Sequence, residues 1–351
     1  MARMLFIVQG EGRGHLSQSV ALKEYIEEEG HSVEAVFVGS NPSREPPAYY
    51  RDIFKNKLKT FSSPWFLRTP NKKGIYIGRT LLYNLGRTLV YLSEVRRIRK
   101  EISRLEPDVV INFYDVLGAL ALRNLSDNIH RIGIGHHFFL HLDGYRCKGG
   151  SNFHRLLLRI HTELIMKSCD RVLALSFREQ DGRDKISVVP PLVRKQFREA
   201  TYRGGENYLV YLLNEGFVVD LIRLVGSNPE LRFDIFSDLP IETPMPGGIK
   251  LYPVSDVEFG EKMKQCRGVI STAGFDTVAE AACMGIPLAV IPVENHFEQL
   301  CNSVDIERSG LGIVLEKLSA ENLAAMSEID HLSYMKWVES AGKRILKQLK
   351  G

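Results

Sequence analysis

Cysteine is scarce and unpatterned in this chain. Cys147, Cys169, Cys266, Cys283 and Cys301 are an odd five, with no C-x-x-C pair and no short Cys/His cluster at zinc-ligand spacing. A disulfide scaffold and a structural zinc site are therefore not expected, and a reduced, cytosolic setting is. Long apolar runs are also missing. After one arginine the amino terminus has only the five-residue run Met4 to Val8, too short for the core of a secretory signal. No run approaches the roughly 20 residues of a membrane-spanning helix. Extremes of composition are absent too. At 44% hydrophobic and 25% charged, with 29 Gly and 15 Pro, collagen-like, low-complexity and wholly disordered classes are excluded. What is there is a packed chain of 351 residues, more than one ordinary core holds and enough for two domains of roughly 150 to 200 residues.

The hydrophobic pattern alternates strand with helix. Met4 to Gln9 is a short apolar run, a glycine cluster follows, and Leu16, Val20 and Ile26 recur at helical spacing until Gly30. Ser32 to Val38 is strand-like again. Asp108 to Phe113, Ile132 to Gly135, Arg171 to Leu175 and Ile186 to Val189 continue the rhythm, which predicts a parallel, doubly wound sheet. It pauses at Pro190-Pro191 and through the polar stretch Arg194 to Glu206, then restarts at Tyr208 to Leu213. Arg232 to Ser237, Ile249 to Val254, Gly268 to Ser271, Pro287 to Val293 and Gly312 to Leu315 follow. The fold class is α/β, with a first Rossmann-like domain over 1–190, a linker over 191–206 and a second Rossmann-like domain over 207–330. A cleft is expected where the carboxyl ends of the two sheets face each other. The segment 331–351 carries a basic amphipathic helix, Ser333 to Leu349, suited to packing back on the first domain.

Ser271 to Ser303, STAGFDTVAEAACMGIPLAVIPVENHFEQLCNS, holds the most chemistry. A strand ends at Ser271, and Thr272, Ala273 and Gly274 lead straight into a helix beginning near Phe275. Backbone N–H groups at that start, with Asp276 and Thr277 in the first turn, form a phosphate site through their free donors and the helix dipole. Glu280 lies one and a half turns on, where a carboxylate can accept bonds from a ribose diol. Glu298 and Gln299 open the next helix and offer an acceptor and an amide to a sugar's hydroxyls. The bland alternative is core packing by Ala279, Ala281, Ala282 and Met284, with one exposed glutamate.

The order Gly-Phe-Asp-Thr, Glu-Ala, Gly-Ile-Pro, Ile-Pro-Val, Phe-Glu-Gln and Asn resembles the nucleotide-sugar site of GT-B glycosyltransferases. That group includes the peptidoglycan lipid-intermediate GlcNAc transferase and the UDP-glucuronosyl and UDP-glucosyl transferases, and the likeness is strongest to a microbial branch with Gly-Phe and Phe-Glu-Gln. Gly10-Glu11-Gly12-Arg13-Gly14-His15, Pro107-Asp108-Val109-Val110 and Val189-Pro190-Pro191-Leu192-Val193-Arg194 extend it loosely over most of the chain. The resemblance implies a GT-B fold, a diphosphate on the amides after Ala273, ribose on Glu280 and the donor hexose on Glu298 and Gln299. Many relatives carry His or Arg where Ser271 stands, so the partner of the β-phosphate is left unassigned.

The loop Gly10-x-Gly12-x-Gly14 is not the dinucleotide fingerprint, because its third glycine comes one residue early. The second strand ends in Gly39-Ser40-Asn41 rather than in an acid, and no nicotinamide cofactor is expected. Gly12 and Gly14 line the cleft, and His15 follows at a helix start. A neutral imidazole there can take the proton of an acceptor hydroxyl, and the resemblance implies a histidine base at this place in inverting relatives. Asp115, after the strand that Tyr114 extends, is the residue to orient the ring. The alternative keeps His15 as a structural residue or a ligand of acceptor phosphate. His136 and His137 follow a strand and also point to the cleft. As chain neighbours they are expected to face different ways, and no carboxylate pair completes a facial triad. With no D-x-D at the place metal-dependent transferases use, no metal and no cofactor are expected. Amides and the helix dipole then stabilise the leaving diphosphate.

Charge is the last uneven property. Residues 51–104 hold 14 Lys or Arg against Asp52, Glu94 and Glu101, a net +11 within a chain of net +4. Trp65, Phe66, Tyr76, Tyr83 and Tyr91 lie there, with Leu81, Leu82, Leu85, Leu89 and Leu92 on one helix spanning Ile75 to Leu92. Basic and aromatic residues on one face fit an anionic membrane surface; a solvated face and nucleic acid are the rivals, and without a nucleic-acid module the latter is not expected. The reading is an inverting, metal-independent transferase. It moves a hexose or N-acetylhexosamine from a nucleotide sugar, a UDP-sugar, to a lipid-linked or glycan acceptor at the inner face of the cytoplasmic membrane. A nucleotide-sugar 2-epimerase and a non-catalytic sugar-nucleotide-binding subunit are the alternatives.

Overall fold

The computed structural model describes residues 1–41, 45–65, 67, 77–123, 125–142, 152–211, 216–237, 245–293 and 296–349. They fall into two units. One takes the described residues of Met1–Tyr145, Leu156–Leu192 and Ser340–Gly351, the other those of Arg146–Arg155 and Val193–Glu339.

The first unit is built on seven strands, β1 Arg3–Val8, β2 Ser32–Ser40, β3 Leu58–Ser62, β4 Val109–Phe113, β5 His130–Ile134, β6 Arg171–Leu175 and β7 Ile186–Val189. Their order is β3-β2-β1-β4-β5-β6-β7, parallel throughout. Met4 to Val8 are wholly buried, which explains an unbroken apolar run instead of an alternating one. β3 escaped the pattern because it is an edge strand whose one buried residue is Phe61. In the second unit β8 Tyr208–Tyr211, β9 Phe233–Ser237, β10 Ile249–Pro253, β11 Gly268–Ser271, β12 Leu288–Val290 and β13 Ile313–Val314 form a parallel sheet. Its order is β10-β9-β8-β11-β12-β13. Both sheets reverse direction about their first strand, so each has a topological switch point at its carboxyl edge.

Four expectations change. The helix expected over Ile75 to Leu92 is two, Ile77–Gly86 and Thr88–Leu105. The chain turns at Arg87, whose N–H donates to Asn84 O at 3.1 Å, next to a glycine with no preference for helix. The expected linker is not free chain from Val193 onward, because Val193, Arg194 and Phe197 are buried in the second unit. The last helix is also two. His331–Glu339 packs on the helix Phe275–Cys283 of the second unit. Ala341–Leu349 belongs to the first unit, where Gln348 accepts from His130 Nε2 through its backbone and from Arg171 and Ser187 through its side chain. Cys169, Cys266 and Cys283 are free and buried, but Cys301 is disulfide-bonded, which departs from a fully reduced chain; Cys147 lies outside the described residues.

Candidate functional site

In the first unit the switch point lies between β1 and β4. The turn after β1 needs glycine at Gly10, where a Cβ would meet Gly39 O at 1.9 Å. His15 is the second residue of the helix Gly14–Glu28 and is buried. Its Nδ1 stands 3.2 Å from Gln18 Oε1, one helical turn on, where side chains share a face. An amide oxygen only accepts, so in this contact Nδ1 is the donor.

Asp115 does not orient this ring. It is the N-cap of the helix Val116–Leu122: Oδ1 accepts from the Gly118 N–H at 2.7 Å and Oδ2 from Ser63 Oγ at 3.2 Å. The sequence D-V-L-G after a strand is a capping pattern, and capping has taken the carboxylate. Burial pushes its carboxyl up to about 6, against the opposing bonds from Gly118, Ser63 and Leu117. Gly39 makes the room, since a Cβ there would stand 2.8 Å from Ser63 Cβ and 3.1 Å from Asp115 Oδ2.

Tyr114 does not extend β4. Its φ of +61° is a left-handed conformation that costs a non-glycine residue roughly 1–3 kcal/mol, held here by a hydroxyl bond with Thr162. Its ring stacks on His137 with centroids 4.0 Å apart at 12°. His136 and His137 do not face different ways, for their rings lie 3.9 Å apart within the short 3-10 helix His136–His141. His15 adjoins this stack, 5.9 Å from both Tyr114 and His137. His15, His136 and His137 are thus brought together, and Asp115 is turned away to its cap.

In the second unit β11 ends at Ser271, whose hydroxyl donates to Tyr211 O at 3.3 Å and is spent inside the sheet. Thr272 and Ala273 are buried, and Ala273 O accepts from Asn302 Nδ2 at 2.9 Å. Gly274 is the N-cap of the helix Phe275–Cys283, with extended backbone and no side-chain cap. The helix start is thereby presented as backbone, with Asp276 and Thr277 in its first turn. Glu280 is not an exposed glutamate. It is buried, and its Oε1 accepts from Arg194 Nε at 3.0 Å and Nη2 at 2.8 Å, while Arg194 Nη1 pairs with Asp256 at 2.5 Å. Burial pushes the Glu280 carboxyl up to about 7, against the pull of Arg194. Burial also works against the Arg194 charge, but Glu280 and Asp256 outweigh it and hold the guanidinium protonated. Among the described residues Oε2 of Glu280 takes no hydrogen bond. Gln299 is buried and its Oε1 closes the preceding loop by accepting from Val293 N at 2.8 Å, which leaves its amide NH₂ to donate. Glu298, half-buried, precedes it in the helix Phe297–Arg308.

The model of glycosyl transferase family 1 matches residues 2–329. The chain belongs to that family. An uncharacterized glycosyltransferase of Methanosarcina acetivorans is 26% identical over 343 residues, covering 88% of this chain and 82% of the relative. The UDP-N-acetylglucosamine--N-acetylmuramyl-(pentapeptide) pyrophosphoryl-undecaprenol N-acetylglucosamine transferase of Lactobacillus delbrueckii subsp. bulgaricus is 22% identical over 371 residues, covering 98% and 94%. The structure of Phytolacca americana UGT2, complexed with UDP-2fluoro-glucose and pterostilbene, aligns with a TM-score of 0.63 at 13% identity, over 99% of each chain. At that identity it establishes the fold alone, two parallel-sheet α/β domains of GT-B type. The chain is a glycosyltransferase. Sequence reasoning gave no role to Arg194, placed in the linker, or to Asn302, although each ends one of the quoted motifs, and it missed Gln18 and Ser63. Arg194 had one usable signal, an arginine directly after the apolar pair Leu192-Val193, where burial demands a partner.

Proposed function

We propose that this glycosyltransferase moves a hexose or N-acetylhexosamine from a nucleoside diphosphate sugar, a UDP-sugar, to an acceptor hydroxyl with inversion and without a metal ion. The uncapped helix start at Gly274, with Glu280 fixed beneath it by Arg194, carries this reading. Backbone amides and the dipole take the diphosphate, and Oε2 of Glu280 accepts from the ribose diol. Glu298 accepts from hexose hydroxyls, and the Gln299 amide donates to them.

In the first unit Nε2 of His15 removes the acceptor proton as the acceptor oxygen bonds to the anomeric carbon. The carbon–oxygen bond to the diphosphate breaks, its electron pair leaves with the nucleoside diphosphate, and the helix start stabilises that charge. Gln18 keeps the proton on Nδ1, so the base nitrogen is the one not bonded to it.

The acceptor is proposed to be lipid-linked. The Lactobacillus relative acts, by its name, on a pyrophosphoryl-undecaprenol. No described helix is long and apolar enough to cross a membrane, but Leu82, Leu85 and Leu89 are 71%, 71% and 82% exposed on neighbouring helices. An apolar face beside a basic segment supports peripheral docking on an anionic membrane. The aromatic residues do not share that face, for Tyr91 is buried and Tyr83 stacks on Trp65. Phe66, Tyr76, Arg68, Lys72 and Lys73 lie outside the described residues.

Thermal shift against UDP-, GDP- and dTDP-sugars, followed by product analysis with and without acceptor, tests the reading. A donor that raises the melting temperature and is turned over only with acceptor present is expected. An epimerised sugar formed from donor alone, or no shift with any nucleotide sugar, would overturn it.

A further inference from the structure

In the first unit β4 ends at Phe113 and Asp115 caps the next helix, so Tyr114 alone joins the two. The turn is braced around it. Asn112 Oδ1 accepts from the Asp115 N–H at 2.8 Å, and Asn112 Nδ2 donates to Asp115 O at 2.9 Å. Tyr114 itself is left-handed at φ +61°. Glycine takes that conformation without cost and asparagine with little, yet the chain places a buried tyrosine there. Strain of this kind collects at functional sites, and here it decides where an aromatic ring goes.

The helix Asn152–Lys167 holds that residue. Thr162 donates its hydroxyl hydrogen to Leu158 O at 2.8 Å, so towards Tyr114 it accepts and the tyrosine donates. His161 bonds the Tyr114 backbone and lays its own ring 5.1 Å from the phenol. Adjacent residues of one helix thus fix both ends of the tyrosine. His137 stacks on its ring, and Phe138 meets it at 5.8 Å and 75°. Towards His15 the ring lies at 5.9 Å, inclined by only 26°, within the roughly 4.5–7 Å of interacting aromatic pairs. Gln18 holds the imidazole by its edge; Tyr114 and His137 flank it with their rings.

We propose that Tyr114 is a positioning residue for His15. Its ring, placed by the left-handed turn and anchored by Thr162 and His161, sets the plane of the imidazole and so the direction in which Nε2 meets the acceptor hydroxyl. Proton transfer in step with attack tolerates little misplacement of that nitrogen. The acceptor in this statement rests on the proposed function; the hold of Tyr114 on the His15 ring does not.

Long-range 1H–15N correlation spectra of the imidazoles test it, with the His15 signals identified through His15→Gln. Tyr114→Asn removes the ring and suits the left-handed backbone. In the wild type the neutral His15 should keep its hydrogen on Nδ1. In Tyr114→Asn the two tautomers should mix and turnover should fall roughly tenfold to a hundredfold, with donor affinity unchanged in calorimetry. Tyr114→Phe keeps the ring and should recover most of that turnover. Tyr114→Phe and Thr162→Val break the same anchor, so each should shift the His15 signals slightly in the same direction, and the double variant no further than either. An unchanged His15 spectrum in folded Tyr114→Asn, or in both anchor variants, would overturn the proposal. Wild-type turnover in His15→Ala beside an altered His15 spectrum in Tyr114→Asn would remove the base and leave the positioning standing. An inactive His15→Ala beside an unaltered spectrum would do the reverse.

Discussion

Arg194 gives two of its donors, Nε at 3.0 Å and Nη2 at 2.8 Å, to a single oxygen of Glu280 that lies 86 residues away in the chain. With Asp256 on its third nitrogen, one buried guanidinium bonds two carboxylates. Arg194→Ala leaves both without a partner in the second unit, a situation that typically costs about 3–5 kcal/mol. Urea unfolding followed through Trp337, the tryptophan of that unit, should show the loss, and Arg194→Lys should recover only part because an ammonium cannot form the fork.

Asp115 sets a pH dependence of opposite sense to an ordinary ion-paired acid. Its carboxyl stands at about 6 in the folded chain against 3.8 unexposed to the fold, so between those values the folded state holds more protons than the unfolded one. Its favourable contribution is complete below the unfolded value and is lost as pH rises through about 6. Asp115→Asn keeps the cap through its amide oxygen and cannot ionise. Denaturant titrations from pH 4 to 8 should find the variant gaining on the wild type with rising pH, by on the order of 2 kcal/mol. Parallel curves would contradict this assignment.

The two α/β halves were legible because parallel strands buried on both faces leave unbroken apolar runs, as Met4 to Val8 and Val172 to Leu175 do. The helix start at Gly274 was legible for a local reason, since strand, turn and glycine stand in sequence. What pairs with what was not. Asp115 and His15 suited one another on paper, but a cap three residues away claimed the carboxylate, and His15 turned to Gln18 in its own helix. Arg194 read as linker because its partners are 62 and 86 residues distant. Long-range ion pairs leave no periodicity to read.

The proposed base can be separated from donor binding. His15→Ala should lower turnover by roughly a hundredfold to ten-thousandfold with donor affinity unchanged in calorimetry. Gln18→Leu removes the partner of Nδ1 and should lower turnover less, without altering donor affinity. Wild-type turnover in the His15 variant would remove the assignment.

Membrane docking is tested by the triple change Leu82→Ser, Leu85→Ser and Leu89→Ser. These side chains are largely exposed, so the fold should be little affected. Flotation with vesicles containing anionic lipid should recover the wild type, and should recover markedly less of the variant or of wild type with neutral vesicles. Equal recovery in all three would exclude the docking face.

Transfer without a metal ion predicts that turnover persists in excess EDTA. Complete loss, restored by a divalent cation, would contradict it.

The central claim is that the helix start at Gly274 and the carboxylate of Glu280 hold the nucleotide of the donor. Calorimetric titration of UDP-, GDP- and dTDP-sugars into the wild type and Glu280→Gln tests it most directly. One nucleotide should bind saturably to the wild type, and the variant, which loses a charge-assisted bond to the ribose, should bind it about tenfold or more weakly. Absence of binding by every nucleotide sugar, or wild-type affinity in Glu280→Gln, would contradict the account.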